Sequence, residues 1–529
     1  MLKDKTLTTE INVMIKKCQL LLILLLPFLM AAQDGTLDLS FGDNGKVVGD
    51  FPETTRFESV ALQTDGKFVA TGIRGLELMV ARFLSDGNLD TSFGTGGFFY
   101  DDMEASAHGY KILLQEDGKI LVFGTVRVAS NKFALLAVRL LSDGSGYDTS
   151  FGTDGKYINQ VSGSNFPEDD ILDAVILSDG KIGIAGRSYS GQRDNIVVGR
   201  LTADGENDAS FGEEGISLID LNAFSRANAL VEADNGDLVI AGTTGSKNIF
   251  IARFDGNGDA VTNFGTDGFA IFNESENINN GANDMVVLPN GQFLIGGNAF
   301  DFDEIDNDVV LYRFNADGSM DTDFGTNGFV KVSGNSNEAI QTLILQTDGQ
   351  ILAGGSTGGV DSKFLLGRFS SEGVLDMNFG NNNGWSINDI GPGFNFDGIT
   401  GMVQLSNGEI IAAGTTLEDS SYDYAVAKFS STVSSLNDLK EFGITTKIYP
   451  TIIQQETITL ELTAESPISL TISLLNNLGQ SLKQWESSIN IGVGKTQRIL
   501  DLPINLTAGA YYILLETKEG RTALPVRKM

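Results

Sequence analysis

Cysteine and histidine are almost missing from this 529-residue chain, which has one of each, Cys18 and His108. A single cysteine excludes a disulfide framework and any multi-cysteine zinc site, and a single histidine removes the usual base for a serine or cysteine nucleophile. Positive charge is short as well. Against 69 acidic residues stand 36 basic ones, a formal charge of −33, so phosphate-rich partners are repelled and no nucleic-acid partner is expected. There are only 9 prolines, while glycine reaches 63 residues and the aromatics are mostly phenylalanine, a bias towards short strands joined by glycine turns. The chain reads as all-β, with room for three or four domains or for one repeat array and an accessory domain.

Residues 15–33, IKKCQLLLILLLPFLMAAQ, place two lysines before an apolar run and small residues before a polar Gln33. That is the plan of a secretory signal peptide, and residues 1–32 are assigned to it with cleavage near Ala32. Cys18 precedes the apolar run instead of marking a cleavage point, which argues against lipid attachment and leaves the mature chain without cysteine. No stretch reaches the ~20 apolar residues of a spanning helix, so no transmembrane anchor is expected.

A repeat of about 56 residues fills residues 33–429. It shows as LDLSFGDNG at Leu37, LDTSFGTGG at Leu89, YDTSFGTDG at Tyr147, NDASFGEEG at Asn207, AVTNFGTDG at Ala260, MDTDFGTNG at Met320 and LDMNFGNNNG at Leu375. After each copy comes the same succession of short apolar segments, in the first GKVV, SVALQ, FVATG and LMVARF, with the turn TDGK between the second and third. Four strands per unit is the natural count. The turn recurs as Asp65-Gly66, Asp117-Gly118, Asp179-Gly180, Asn235-Gly236, Asn290-Gly291, Asp348-Gly349 and Asn407-Gly408, a pair that tolerates positive φ at both corners of a hairpin. Seven such units predict a seven-bladed β-propeller, each blade burying its faces against its neighbours.

The phrase D-G-x-L-D-x-S-F-G-x-x-G followed by D-G-K resembles the delta-60 repeat of bacterial surface and secreted proteins, over residues 34–429. The resemblance implies a propeller-like fold and no agreed activity. Val261 departs from it by standing where the other copies have Asp.

A basic residue recurs at the end of each unit with an Asp eight or nine positions later. These are Arg82 with Asp90, Arg139 with Asp148, Arg200 with Asp208, Arg313 with Asp321 and Arg368 with Asp376. They are expected to be structural ion pairs, with Arg253 needing another partner. The seventh unit has no such Asp after Lys428, whereas an extra copy precedes the first unit, so Asp38 is expected beside Lys428, closing the ring.

Residues 430–440 form a serine-rich linker, and residues 441–529 read as a small β-sandwich of about seven strands with turns at Asn477 to Gly479 and Glu519-Gly520. IYPTII at Ile448, LLNNLGQSL at Leu474, LPINLTAGAYYI at Leu502 and the basic end Arg527-Lys528 are similar to the type A C-terminal sorting domain of the type IX secretion system. Thr451 stands where that family commonly has Asn-Pro. The resemblance implies the type IX machinery as a partner and delivery across the outer membrane.

For chemistry, DFDEIDND crowds Asp301, Asp303, Glu304, Asp306 and Asp308 into one loop, a candidate calcium site set against a plain solvated acidic loop. No other cofactor and no catalytic residue is expected. His108 is read as an isolated loop or strand-edge residue. The Asp-Gly turns and the S-F-G connections fall on one face, so recognition is expected on the opposite, variable face, where Phe166, Tyr189, Phe300, Phe302, Phe394, Phe396 and Tyr422 are costly choices for idle loops. The functional expectation is a secreted or cell-surface binding or adhesion module for an extracellular glycan or protein. The alternatives are a carbohydrate-active enzyme using channel carboxylates and a purely structural surface component.

Overall fold

The computed structural model describes residues 34–163, 167–189, 191–245, 247–275, 277–333, 337–391, 396–418, 421–431, 444–449, 452–453, 457–464, 466–476, 481–503, 506, 509–516 and 521–528. Residues 1–33, which hold the expected signal peptide, Phe166, Phe394, most of the expected linker, Thr451 and the turns expected at Asn477 to Gly479 and Glu519-Gly520 lie outside the described residues.

The first unit supplies β1 (Lys46–Val48), β2 (Thr55–Leu62), β3 (Phe68–Arg74), β4 (Glu77–Phe83) and β5 (Phe98–Asp101). The strands β2, β3, β4 and β5 form an antiparallel sheet in that order. Phe57, Phe68 and Phe83 are fully buried in it, each contributing roughly 1.5–3 kcal/mol. The β2–β3 hairpin turns on Gly66, which takes φ 83°. Here the expectation of two left-handed corners is corrected, because no Asp or Asn of the seven turns has positive φ. Asp65 instead folds its carboxylate back to accept from Lys67 N at 3.1 Å, so glycine alone carries the left-handed step.

The phase of the repeat also differs from the sequence reading. GKVV does not open its own sheet: β1 pairs with Ser421–Phe429, with Lys46 opposite Ala427. Likewise β5 closes the sheet that precedes it, with Phe98 opposite Ala81. The cause is the S-F-G connection, which returns the chain antiparallel to the strand it has just left before it crosses to the next sheet.

Among the described residues seven such sheets follow one another, beginning with inner strands Thr55–Leu62, Ala107–Leu114, Asp169–Ile176, Ser225–Glu232, the pair Ile278–Asn280 and Asp284–Val287, Ala339–Leu345, and Gly398–Gln404. Consecutive sheets share apolar cores. Phe93 and Val69 pack with Ile120 and Leu136 between the first and second, and Phe57 and Phe83 pack with Ile411 and Tyr424 between the first and last. This is the packing of a β-propeller, all-β and built of four-stranded antiparallel sheets.

The C-terminal block has eight strands in two sheets among its described residues. Ile444–Tyr449, Thr457–Ala464 and Gly494–Asp501 form one, and Ile452–Ile453, Arg521–Lys528, Gly509–Glu516, Ile468–Asn476 and Ser481–Ile491 form the other. Residues Thr457–Ala464 alternate strictly between partly exposed and buried, and their inward side chains join Ile472, Ile513 and Leu515 in one core. Among the described residues no helix is long and apolar enough to cross a membrane.

Candidate functional site: the channel and the variable face

The repeated phrase builds a clamp between sheets. Arg82 directs Nε to Asp90 Oδ2 at 2.9 Å, lies 4.8 Å from the Phe93 ring centre, and donates from Nη1 to Ser142 O of the next unit at 2.8 Å. Arg139–Asp148 at 2.8 Å, Arg200–Asp208 at 2.7 Å and Arg313–Asp321 at 2.7 Å repeat the pair. Arg368 holds Asp376 at 2.6 Å and also pairs with Asp34, and Lys428 stands 3.0 Å from Asp38. Lys67, Lys119 and Lys181 of the D-G-K turns bring a second cation to Asp90, Asp148 and Asp208. Burial raises these three carboxyls, but hydrogen bonds from serine and lysine and the arginine charge outweigh it and hold them well below the usual carboxylate range. In the fourth unit Arg253 turns to Asp237 at 2.7 Å, which stands where the first three units have their turn lysine. One substitution removes the usual acid, and the other supplies it from across the sheet.

On the axis lies a channel of about 620 Å³ lined by residues from all seven inner strands. Six of those strands shift register at a bulge, at Phe57/Ser59 and Gly109/Lys111 in the first two. Bulges re-aim side chains, and here polar groups reach sideways to the next strand. Asn228 Nδ2 donates to Ala282 O at 2.8 Å, Asn283 Nδ2 to Ile340 O at 2.7 Å and Thr400 Oγ1 to Phe57 O at 2.8 Å. Asp173 accepts from Leu230 N and Asp284 from Leu343 N, each at 2.7 Å. Lys111 Nζ lies 2.7 Å from Asp173 Oδ1. Burial, with Asp173 nearby, pushes the Asp284 carboxyl up to about 6 against the opposing pull of Lys111.

His108 takes the strand-edge placement, on an edge strand of its sheet, and is not isolated. It sits on the second inner strand, 8% exposed, with Nε2 3.2 Å from Glu58 Oε1 and its ring 4.3 Å from that of Tyr110. The sequence reading missed this because Glu58 comes from the neighbouring unit, 50 residues away. Sequence reasoning also passed over Asp169 and Asp397, two buried carboxylates at the starts of inner strands. Asp169 accepts from Val161 N at 2.9 Å and Ser188 Oγ at 2.6 Å, Asp397 from Ile390 N at 2.6 Å, and burial pushes both carboxyls up. They brace the loops that enter the variable face. An acid at the head of an apolar strand was the available signal.

The connections after β3 and after β5 share the face opposite the Asp-Gly turns, as antiparallel succession requires. Among the described residues four aromatic side chains are well exposed: Phe224 at 57%, Phe302 at 51%, Phe396 at 40% and Tyr422 at 36%. All four belong to connections or strand ends on that variable face. Phe224 was not singled out from sequence. Phe300 is partly buried and meets Phe302 edge-on at 5.1 Å, and Tyr189 is partly buried at the end of its strand. Phe302 follows a strand of the fifth sheet, whereas Tyr422 lies on the seventh and Phe396 just precedes it, so the rings are spread over different sheets.

The five acids of the DFDEIDND segment serve different neighbours. Asp301 accepts from Asp303 N at 2.8 Å, Asp303 from Asn277 Nδ2 at 2.9 Å, and Asp306 from Asn337 N at 2.8 Å. Asp308 is buried, 3.2 Å from Lys331 Nζ, and Glu304 is exposed. Among the described residues no three His, Cys, Asp or Glu side chains group to hold a metal ion.

Four stretches of the chain, residues 63–93, 115–151, 177–211 and 288–324, match the β-propeller domain of unknown function DUF5122. Each runs from the Asp-Gly or Asn-Gly turn through the phenylalanine of the repeated phrase, and the units with turns at Asn235-Gly236, Asp348-Gly349 and Asn407-Gly408 are not among them. No curated protein matches the chain. Solved structures similar to it include PorZ, a surface component of the type IX secretion system of Porphyromonas gingivalis, at 12% identity, covering 91% of this chain and 82% of that one with a TM-score of 0.25. An endo-arabinase from Bacteroides thetaiotaomicron gives 10%, 61%, 92% and 0.28, and prolyl oligopeptidase B from Galerina marginata gives 11%, 78%, 55% and 0.38.

Proposed function

We propose that this protein is a secreted or cell-surface seven-bladed propeller that binds an extracellular glycan or protein through its variable face, and that its C-terminal β-sandwich is a type IX sorting domain. The observation that carries the binding reading is the confinement of the four rings well exposed among the described residues to the face opposite the repeated turns. Exposed aromatics on braced loops supply contact area at low entropic cost. The export reading rests on the IYPTII, LLNNLGQSL and LPINLTAGAYYI segments.

A glycan and protein array probed with the full chain tests the first reading. Serine at Tyr189, Phe302 and Phe396 together is expected to weaken capture of the hits at least tenfold, and unchanged affinity in a cooperatively melting variant overturns it. Removal of residues 441–529 is expected to leave the propeller in the periplasm of a type IX-competent host, read by fractionation. Carbohydrate turnover is the second reading, because Asp173 and Asp284 face one channel. Asp173, however, is held by Lys111 and Leu230 N, which leaves no free base beside Asp284.

A further inference from the structure

Among the described residues Asp284 is the one carboxylate of the channel wall with no cation at ion-pair distance. Backbone donors take its two oxygens, Met285 N at 2.8 Å and Leu343 N at 2.7 Å, which fix its direction and leave its charge in place. Lys111 reaches into the channel from the second inner strand, bonded to Asp173 and acting on both carboxylates. One positive charge therefore serves two negative ones. The charged groups facing Asp284 are Lys111 and Asp173; Glu58 and Tyr110 lie on the same wall, with Glu58 held by Arg56 at 2.9 Å and by His108. The rest of the wall offers amide and hydroxyl oxygens from Asn283, Gln341 and Thr342 beside apolar Ile112, Leu343 and Met402.

We propose that the channel is a binding site for a small organic cation, a primary ammonium on a short alkyl chain, with its charge against Asp284 and its chain along the apolar wall. This is a second site, independent of any variable-face ligand. A cavity of about 620 Å³ suits a molecule of that size. An ammonium has three donors and needs acceptors from one carboxylate and nearby amide or hydroxyl oxygens, which this wall has. A hard metal ion needs several converging carboxylates, and no such group of three exists among the described residues.

The test is calorimetric titration of the full chain with n-butylammonium chloride at about pH 7.5, with n-butanol and potassium chloride at matched concentration as comparison arms. Saturable binding of the ammonium alone is expected. At about pH 5 a carboxyl titrating near 6 is mostly protonated, so affinity is expected to fall about tenfold. Asp284→Asn is expected to abolish binding, and Lys111→Met, which removes the internal competitor, to tighten it. Thermal melts establish that each variant is folded; should Asp284→Asn not fold, the pH arm and Lys111→Met decide. No binding, equal binding of butanol, the same response to potassium, or an affinity unchanged between the two pH values overturns the proposal.

Discussion

Arg82, Arg139 and Arg313 each meet a carboxylate, a phenylalanine ring and a carbonyl of the next unit, so one side chain fixes a turn and a sheet interface together. Arg200 is 7% exposed, and breaking a buried pair of this kind costs about 3–5 kcal/mol. Lys181 still neutralises Asp208 at 2.9 Å, so Arg200→Ala is expected near the lower end, about 3 kcal/mol in urea melts. An unchanged melt would show the pair to be idle. The pH dependence follows from the same carboxylates. Asp90, Asp148 and Asp208 titrate below their unfolded value of 3.8 when folded, so their stabilisation is complete above about pH 4 and is lost as the pH falls. Asp284 works in the opposite sense: its folded carboxyl titrates higher, so its contribution is greatest in acid and declines as the pH rises through about 4 to 6. Asp169, Glu274 and Asp397 are raised like Asp284, but Asp38, Asp321 and Asp376 of the other clamps are lowered like the first three, and the lowered carboxyls decide the balance below about pH 4. The melting temperature is expected to drop as the pH falls below about 4, less steeply in Arg200→Ala, as followed by circular dichroism. The Arg–Asp spacing was visible in the sequence because both partners lie within one short connection. The Arg253–Asp237 pair was not, since its acid stands 16 residues upstream, across a hairpin.

At the level of the strand and turn, the sequence identified the apolar segments and misplaced the sheet boundary. GKVV, SVALQ, FVATG and LMVARF are all strands, but alternation and turn residues say which segments are extended and not which neighbour each one joins. The deciding contacts are long-range, as in the pairing of β1 with a strand near residue 425. The same reach explains the glycine of the D-G-x-L-D phrase, which looks like a turn residue and also packs against the preceding unit. Gly205 has φ +79°, and a Cβ there would lie 2.5 Å from the buried Phe151 ring. Gly205→Ala is therefore expected to cost about 1–2 kcal/mol from the left-handed backbone alone, and more from displacing Phe151. Gly180, with φ +84° and open space around it, supplies the comparison. If the two alanine variants melt together, the interlock between units contributes nothing.

In the molecule as a whole, the N-terminal segment must supply what the last repeat lacks. The seventh sheet takes β1 as its outer strand, and the chain before it completes the clamp on both sides. Gly380 N donates to Asp34 O at 2.7 Å, Gly35 N to Ser430 O at 2.8 Å and Asp38 N to Lys428 O at 2.8 Å. The described contacts of Ser430 thus carry the closure one residue past the sequence boundary at 429. Phe41 is 1% exposed and packs with Phe68, stacked at 6.3 Å, in the core shared by the last and first sheets. Closure was legible because the first of the seven repeated phrases precedes the first strand set and none follows the seventh, an order that needs no coordinates. The loop aromatics were only partly legible, since exposure depends on packing between units, as Phe224 and Phe300 show from opposite sides. Deleting residues 34–44, with residue 33 joined directly to Gly45, removes Phe41 together with Asp34 and Asp38, leaving Arg368 with Asp376 and Lys428 with Glu409. Loss of a buried phenylalanine costs about 3–5 kcal/mol, and a stripped ion pair adds to it. The deletion is expected to lower the melting temperature by well over about 5 °C and, by taking away the contacts of Gly35, Leu37 and Asp38 that anchor β1, to let β1 peel from Ser421–Phe429 and leave that edge to pair with a second copy, seen as concentration-dependent association in sedimentation. A deletion variant that stays monomeric and melts like the parent would mean that the ring is held by its sheet interfaces alone and that the extra S-F-G copy has no part in closing it.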